Sequence, residues 1–467
     1  MKNLFKYSFI LIAGLSIQSC FVAKDYERQQ DIVNEQYFRT DQMSKDSLSI
    51  ASLSWKELFT DQKLNKYIDQ ALTNNLDIRI ALQNTLVAQA YVKQGKAAYF
   101  PTLNANGSYT YSTQSLNTQF GQIIGERTYL DQFELSANLS WEADIWGKIR
   151  SNERAYTASY LQSISAHQAV KSNLVATVAS TYFQLLAFDE QKRITEETIA
   201  NRQKSLETIQ LLKEAGNVTE VAVKQTEAQL LNVQALLLDL NNQIKLLENT
   251  FCILLGENPH SIERTSLQSQ IISPELNFGF PVQLLSNRPD VTAAEYTLIQ
   301  SFELTNVARS DFYPSLRLTA NGGIQSIDFD KLFSANSLFA SIVGSLTQPI
   351  FNGRQIKTQY EVRQAQQESA LLNYKKTILT ASKEVSDALY SYKTNDEKMK
   401  LKQAEFEAYN KAVEYSEELM TYGMANYLEV LTANENALNA QLSVVNSVFG
   451  RLSATVDLYR ALGGGWR

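Results

Sequence analysis

Two stretches without a helix breaker constrain this chain more than any other feature. Residues 148–215 are 68 consecutive positions with neither glycine nor proline, and residues 354–422 are 69 more. At a helical rise of about 1.5 Å per residue, each tract would make a rod of roughly 100 Å, longer than a globular core needs. Leu174, Val178, Thr181, Leu185 and Phe188 recur as a narrow apolar stripe with Lys, Glu, Gln and Asn elsewhere, as in a coiled-coil seam. Both tracts run, across a single glycine, into another breaker-free tract: 217–255 after Gly216 and 424–449 after Gly423. This predicts two antiparallel helical hairpins with those glycines at their tips.

The two hairpins belong to a larger duplication. Asp77 in NNLDIRIAL pairs with Asp290 in SNRPDVTAA, and Pro101 in AAYFPTLNANG pairs with Pro314 in SDFYPSLRLTANG, both 213 apart. Gly216 pairs with Gly423 and Gly256 with Gly463, both 207 apart. Four anchors in the same order make each half one unit of helix, strand pair, long helix, tip and return helix.

Each half carries alternating segments. After Pro101, Leu103, Ala105, Gly107, Tyr109 and Tyr111 alternate with Asn104, Asn106, Ser108, Thr110 and Ser112. Phe133, Leu135, Ala137, Leu139, Trp141, Ala143 and Ile145 alternate with polar residues over 13 positions, long enough for a tilted strand to cross a bilayer. Leu316, Leu318, Ala320, Gly322 and Ile324 repeat the pattern, whereas the fourth segment, roughly Leu338–Phe351, alternates poorly. Trp141, Trp146 and the tyrosines near the strand ends suit a membrane-interface girdle. Pattern alone also permits two soluble hairpins with one wet face. In hydrocarbon, however, a spanning sheet must close, and known closed barrels start near eight strands. One chain offers four, so closure requires several copies; three supply twelve.

The amino terminus, MKNLFKYSFILIAGLSIQSC, has two lysines, a short apolar run and then Cys20. It reads as a secretory signal, its apolar run too short to span a bilayer. No later segment reaches 18 consecutive apolar residues.

Composition excludes several functions. Lys and Arg number 43 against 49 Asp and Glu, a net charge of −6 that argues against a nucleic-acid partner. Two histidines (His167, His260) and two cysteines (Cys20, Cys252) are too few for a Cys/His zinc site or a disulfide scaffold, and no Cys-His nucleophile site of usual make-up is legible. Cys252, in an apolar helical tract, reads as a buried free thiol. Arg288-Pro289-Asp290 reads as a helix start with a proline and an acid in its first turn. The GGGWR tail reads as short and mobile.

In these residues the chain resembles the TolC-like outer-membrane factors, specifically their lipoprotein branch. The resemblance runs from Cys20 to Trp466 and includes VAKDYER at 22–28, RPDV at 288–291, both aromatic-Pro-Ser/Thr-Leu strand starts and YGMANYLEVLTANENALNAQ from Tyr422. It implies a mainly α protein with a membrane β-barrel, in which three chains share a 12-stranded barrel and a long α-helical barrel. The implied organisation is a lipoprotein signal peptide at 1–19, a lipid-anchored segment at 20–63 and a first repeat at 64–256 with strands at about 102–114 and 132–146. An equatorial linker at 257–286, a second repeat at 287–463 with strands at about 315–327 and 338–351, and a tail at 464–467 follow.

The resemblance makes Ile-Gln-Ser-Cys a lipobox, with Gln18 a looser fit than the usual small residue, and Cys20 the site of a diacylglycerol thioether; Phe21 fits outer-membrane sorting. It implies the exit duct of a tripartite efflux system: a homotrimer in the outer membrane, joined by a periplasmic adaptor to an inner-membrane pump taken to be proton-driven. Such a duct passes small toxic compounds or drugs and uses no cofactor, metal or catalytic residue. A type I-like protein secretion duct and a non-conducting lipid-anchored envelope tether are the alternatives. Ala215, Gly216, Asn217 and Val218, with Tyr422, Gly423, Met424 and Ala425, are the implied adaptor-docking tips. Relatives carry acidic gate residues six and nine positions past the second tip glycine. Glu429 fits the first, Thr432 departs from the second, and Asn426 lies beside them.

Overall fold

The computed structural model describes residues 22–28, 53–270 and 287–467. Cys20 and its lipobox, and the linker from 271 to 286, lie outside the described residues. In chain order the elements are α1 (Trp55–Leu58), α2 (Gln62–Asn74), α3 (Leu76–Ala97), β1 (Thr102–Thr113), α4 (Gln119–Ile124), β2 (Tyr129–Ala143), α5 (Lys148–Glu214) and α6 (Glu220–Leu255). The second half supplies α7 (Pro289–Ser310), β3 (Ser315–Ser326), β4 (Leu338–Thr347), α8 (Gln355–Thr421) and α9 (Tyr427–Ala461). Both 67-residue helices, α5 and α8, fill the tracts without breakers.

The described residues form two compact units, one of 22–28, 86–162 and 295–373, the other of 53–85, 163–270, 287–294 and 374–467. The first is built on a four-stranded antiparallel sheet in the order β1-β2-β3-β4. Its register runs Thr102 opposite Ser140, Ser140 opposite Thr319 and Ser315 opposite Thr347. Strand ends differ from expectation by a few residues. β2 starts earlier, at Tyr129, because its pairing with β1 continues to Thr113, and β4 stops at Thr347, short of Pro349, which has no amide to donate.

Asp144 ends the sheet and starts α5, its carboxylate accepting from the amides of Ile149 at 2.8 Å and Arg150 at 3.0 Å. Residues 22–28 form a strap on the same unit. Asn306 brackets Lys24, accepting from its amide at 3.3 Å and donating to its carbonyl at 2.9 Å. Arg154 pairs with Asp25 at 2.9 Å, Arg28 pairs with Glu295 at 2.9 Å, and Tyr26 meets Phe302 edge-on.

The second unit holds the main apolar core. Tyr182, Phe183, Leu185 and Leu186 of α5 pack with Phe59, Leu64, Ile68, Phe251, Leu255, Val456 and Tyr459. Between Leu174 and Ala187 α5 is therefore buried over much of its circumference, not along one narrow stripe. Segments 53–71, 262–267 and 452–462 pack on it there, and more than one neighbour buries more than one face.

Arg288 binds where α7 begins. Its guanidinium, 4% exposed, donates to Asp290 at 2.6 and 3.0 Å, to Glu384 at 2.8 Å and to the carbonyl of Ala461 at 2.9 Å. The tail, expected to be mobile, is instead packed. Gly463, Gly464 and Gly465 are buried, and Gly464 packs so closely on Tyr459 that an added Cβ would lie 2.3 Å from its ring. The amide of Gly464 donates to the Tyr459 carbonyl at 2.9 Å, so the glycine run continues the helix cap rather than dangling.

Candidate functional site: helical tips and a two-faced sheet

Both tips use the same backbone device. At the first, the amide of Gly216 donates to the Lys213 carbonyl and that of Asn217 to the Leu212 carbonyl, each at 2.9 Å. At the second, Gly423 donates to Met420 at 3.0 Å and Met424 to Leu419 at 2.9 Å. These 5→2 and 6→1 bonds form a Schellman motif, whose C′ residue is left-handed. Gly216 has φ 79° and Gly423 φ 69°, which is why the position is glycine. The same pair of bonds closes α6 at Gly256 and α9 at Gly463, so the duplication reaches the hydrogen-bond pattern.

What the tips display differs. Ala215, Gly216 and Asn217 are exposed, while Val218 turns inward against Leu206, Ile209, Val223 and Leu230. At the second tip Gly423 is exposed, Ala425 is half-buried, and Tyr422 and Met424 are large exposed apolar side chains. Lys213 and Glu220 form a 2.6 Å ion pair across the first tip, holding the Glu220 carboxyl below its ordinary range.

Of the gate candidates, Asn426 is the N-cap of α9 and accepts from the Glu429 amide at 3.1 Å, while its Nδ2 donates to the Glu429 carboxylate at 3.1 Å. Glu429 is exposed and sits in the first turn, where a carboxylate opposes the helix dipole favourably. Thr432 is exposed and donates back to the Leu428 carbonyl at 2.8 Å.

Sequence reasoning missed a polar belt above the tips. Tyr427 and Thr226 share a 2.6 Å hydroxyl hydrogen bond between α9 and α6, and Gln229 donates to Glu435 at 3.3 Å. Burial raises the Tyr427 pKa; Arg202, itself buried, is lowered by desolvation against the pull of Glu435 and Tyr427. These residues lie on different helices, and no local spacing links them. Cys252 is fully buried and unpaired by any disulfide. Its sulfur accepts from the His260 amide at 3.4 Å and touches the imidazole Nδ1 at 3.4 Å, a contact across the Gly256 turn that counting alone did not show.

The sheet has one apolar and one polar face. Leu103, Leu139, Ala320 and Ile342 form one cross-strand row, and Gly107, Leu135, Ile324 and Leu338 another. Asn104, Asn138, Asn321 and Ser341 form a row on the opposite face, as do Thr102, Ser140, Thr319 and Val343. The pairing assigns β4's faces: Leu338, Ala340, Ile342, Gly344 and Leu346 continue the apolar side, and its alternation is blurred only by Phe339 and Val343 on the polar side. Strands of 10 to 15 residues satisfy the roughly 9–11 needed to cross a bilayer at a tilt. Trp141 donates to the Tyr99 carbonyl at 2.9 Å at one end of the apolar side, while Tyr109, Phe133 and Phe329 cluster at the other.

Comparison with known proteins gives the same picture. Over 467 residues the chain is 29% identical to the cation efflux system protein CusC of Escherichia coli O6:H1, covering 97% of each. Over 466 residues it is 28% identical to the solvent efflux pump outer membrane protein SrpC of Pseudomonas putida, covering 98% of each. Its fold superposes on the Campylobacter jejuni CmeC outer membrane channel with a TM-score of 0.86 at 26% identity, covering 95% of each chain. The outer membrane efflux protein family matches residues 67–257 and 280–464, two stretches that begin 213 apart and end 207 apart, as the internal duplication does. The chain belongs to the outer membrane efflux protein family.

Proposed function

We propose that three copies of this chain close into a 12-stranded barrel and a helical barrel, forming the outer-membrane exit duct of a tripartite efflux system. The observation that carries this reading is the sheet, which has an apolar face with Leu103, Leu338, Ile342 and Leu346 exposed, a polar face, and two strands with a free edge. Such an apolar face needs lipid, and free edges in lipid need partners. The polar face then lines the lumen with amide and hydroxyl groups, carrying Glu134, Glu142, Arg317 and Gln325 among them. A mostly neutral lining suits passive conduction. CusC and SrpC are named for different cargoes, cations and solvents, which fits a duct whose selectivity resides in the pump.

On this reading Cys20 carries the lipid anchor, two positions before the strap residue Val22, whose carbonyl accepts from Arg309 at 3.3 Å. The exposed tips, with Tyr422 and Met424 foremost, are the surface offered to a periplasmic adaptor, and the adaptor joins a proton-driven inner-membrane pump. Purified protein in planar bilayers tests the duct directly. Single-channel currents from a detergent-stable trimer are expected, and a monomer without conductance would leave only the envelope tether.

A further inference from the structure

We infer that the free edge of β4 pairs with the β1 edge of the next copy in one register, in which paired residue numbers add to 453. This rests on the trimeric duct proposed above and specifies its seam. The argument is the internal duplication applied to hydrogen-bonded pairs. β1 maps on β3 with the offset of 213 that joins Pro101 to Pro314, so Thr102 corresponds to Ser315. Thr102 pairs with Ser140, and Ser315 pairs with Thr347. Ser140 therefore corresponds to Thr347 with an offset of 207, the same offset that joins the tips. The offset changes between β3 and β4, in a connection of 327–337 that is shorter than its counterpart at 114–128.

Within the chain, β2 already shows how one hairpin meets the next: Ser140 pairs with Thr319. Carried through the two offsets, that pair becomes Thr347 opposite Asn106 of the next copy. Ser345 then meets Ser108, Val343 meets Thr110, and Ile342 meets Tyr111. One rule would repeat around the ring, each hairpin shifted by four residues from the hairpin before it, since Thr102 is level with Thr319 and not with its counterpart Ser315.

Strand direction permits this register, and face parity and side-chain volume favour it. Antiparallel direction is kept, because β4 runs opposite to β1. Face parity is kept, because Leu346 and Gly107 both lie on the apolar side, as do Gly344 and Tyr109; any odd shift would set apolar against polar side chains. Side-chain volume is also complementary. Nothing lies within 4 Å of a Cβ built at Gly344, and Tyr109 and Leu346 are exposed at 58% and 69%. The register sets each glycine of one edge beside a bulky side chain of the other. Shifting by two in one direction puts Gly344 against Gly107 and loses both matches; in the other it puts Leu346 against Tyr109 and keeps only that of Gly344, now beside Tyr111, so the inferred register alone satisfies both glycines.

Disulfide trapping in detergent-purified trimer tests the seam. Directly opposed residues have Cα atoms about 4.5–5.5 Å apart, within disulfide range, whereas diagonal neighbours are about 7–8 Å apart and are not. The variants are S345C/S108C for the inferred register, and S345C/T110C and S345C/N106C for shifts of two, with each single cysteine as control. Mild oxidation is expected to give several-fold more covalent trimer from S345C/S108C than from either shifted pair, with conductance retained. Greater trapping of a shifted pair, or none from any pair in a trimer that still conducts, overturns the register and leaves the duct standing. A monomer without conductance in the unmodified protein would instead remove the duct, and this seam with it.

Discussion

Asn426 and Glu429 cap one another at the second tip. The Asn426 Oδ1 accepts the Glu429 amide and its Nδ2 binds the Glu429 carboxylate, both at 3.1 Å. Glu429 therefore has a local structural role; we propose that its three copies around the trimer axis also form an acidic gate ring, and the two roles separate experimentally. Glu429→Gln removes the charge but leaves an acceptor for Asn426. The expected outcome is weaker cation selectivity in single-channel recordings, because three like charges around one axis attract cations, with thermal stability unchanged. Unchanged selectivity would remove the ring. Asn426→Ala should instead lower helix stability by about 1 kcal/mol, visible as faster amide exchange over residues 427–430.

Gly423→Ala and Gly216→Ala should act only through the backbone, since no atom lies within 4 Å of a Cβ built at either glycine. A left-handed non-glycine residue costs about 1–2 kcal/mol, so each change should loosen its own tip. Hydrogen exchange should rise around residues 211–218 or 419–425 with little change in global melting temperature. Affinity for an adaptor should fall if the tips are its seat.

Arg288→Ala removes the donor shared by Asp290, Glu384 and the Ala461 carbonyl, leaving Glu384 only Arg460 at 3.4 Å, and should cost about 1–3 kcal/mol, read as a lower melting temperature. Burial works to raise the Asp290 pKa, but the Arg288 guanidinium outweighs it and holds the carboxyl below its ordinary value. A lowered acid pKa contributes stability above the unfolded-state pKa that is lost as pH falls through the folded one. Wild-type stability should therefore drop below about pH 4, and Arg288→Ala should flatten that part of the profile.

Gly464→Ala tests the docked tail. The added methyl would lie 2.3 Å from the Tyr459 ring, and the Tyr459 hydroxyl is tied to the Leu53 carbonyl at 2.8 Å. Overpacking of this kind costs about 1–3 kcal/mol. A mobile tail would tolerate the change, so an unaltered melting curve would refute the docking.

Glu303 carries a pH dependence of the opposite sign. Burial raises its carboxyl pKa, against the Asn306 amide at 3.3 Å and Arg154 at 3.7 Å. A raised acid pKa makes the ionised form a liability, so stability is lost as pH rises through it. Glu303→Gln should match wild type near pH 4 and gain on it as pH approaches 7, measured by melting temperature at each pH.

Much of the architecture was legible without coordinates because its determinants are local or periodic. Runs of nearly 70 residues without glycine or proline, carrying a helical apolar stripe, favour long helices, and Gly216 and Gly423 mark the places where such helices can reverse. The alternation in β1, β2 and β3 likewise carries its own face assignment. β4 was obscure because Phe339 and Val343 interrupt its polar side, and only pairing with β3 shows which side each residue occupies.

The sequence by itself determined the rods, the turns, the duplicated unit and the two faces of three strands, since each follows from backbone limits or from a period along one segment. Tertiary structure alone decided what meets across segments: that α5 is enclosed on several sides, that Arg288 joins α7 to Glu384 and Ala461, that Tyr427 reaches Thr226, and that the glycine tail is packed. Those partners lie far apart in the chain, Thr226 and Tyr427 by 201 residues and Ser172 and Gly464 by 292, and no local propensity encodes a contact that forms only when separate helices are brought side by side.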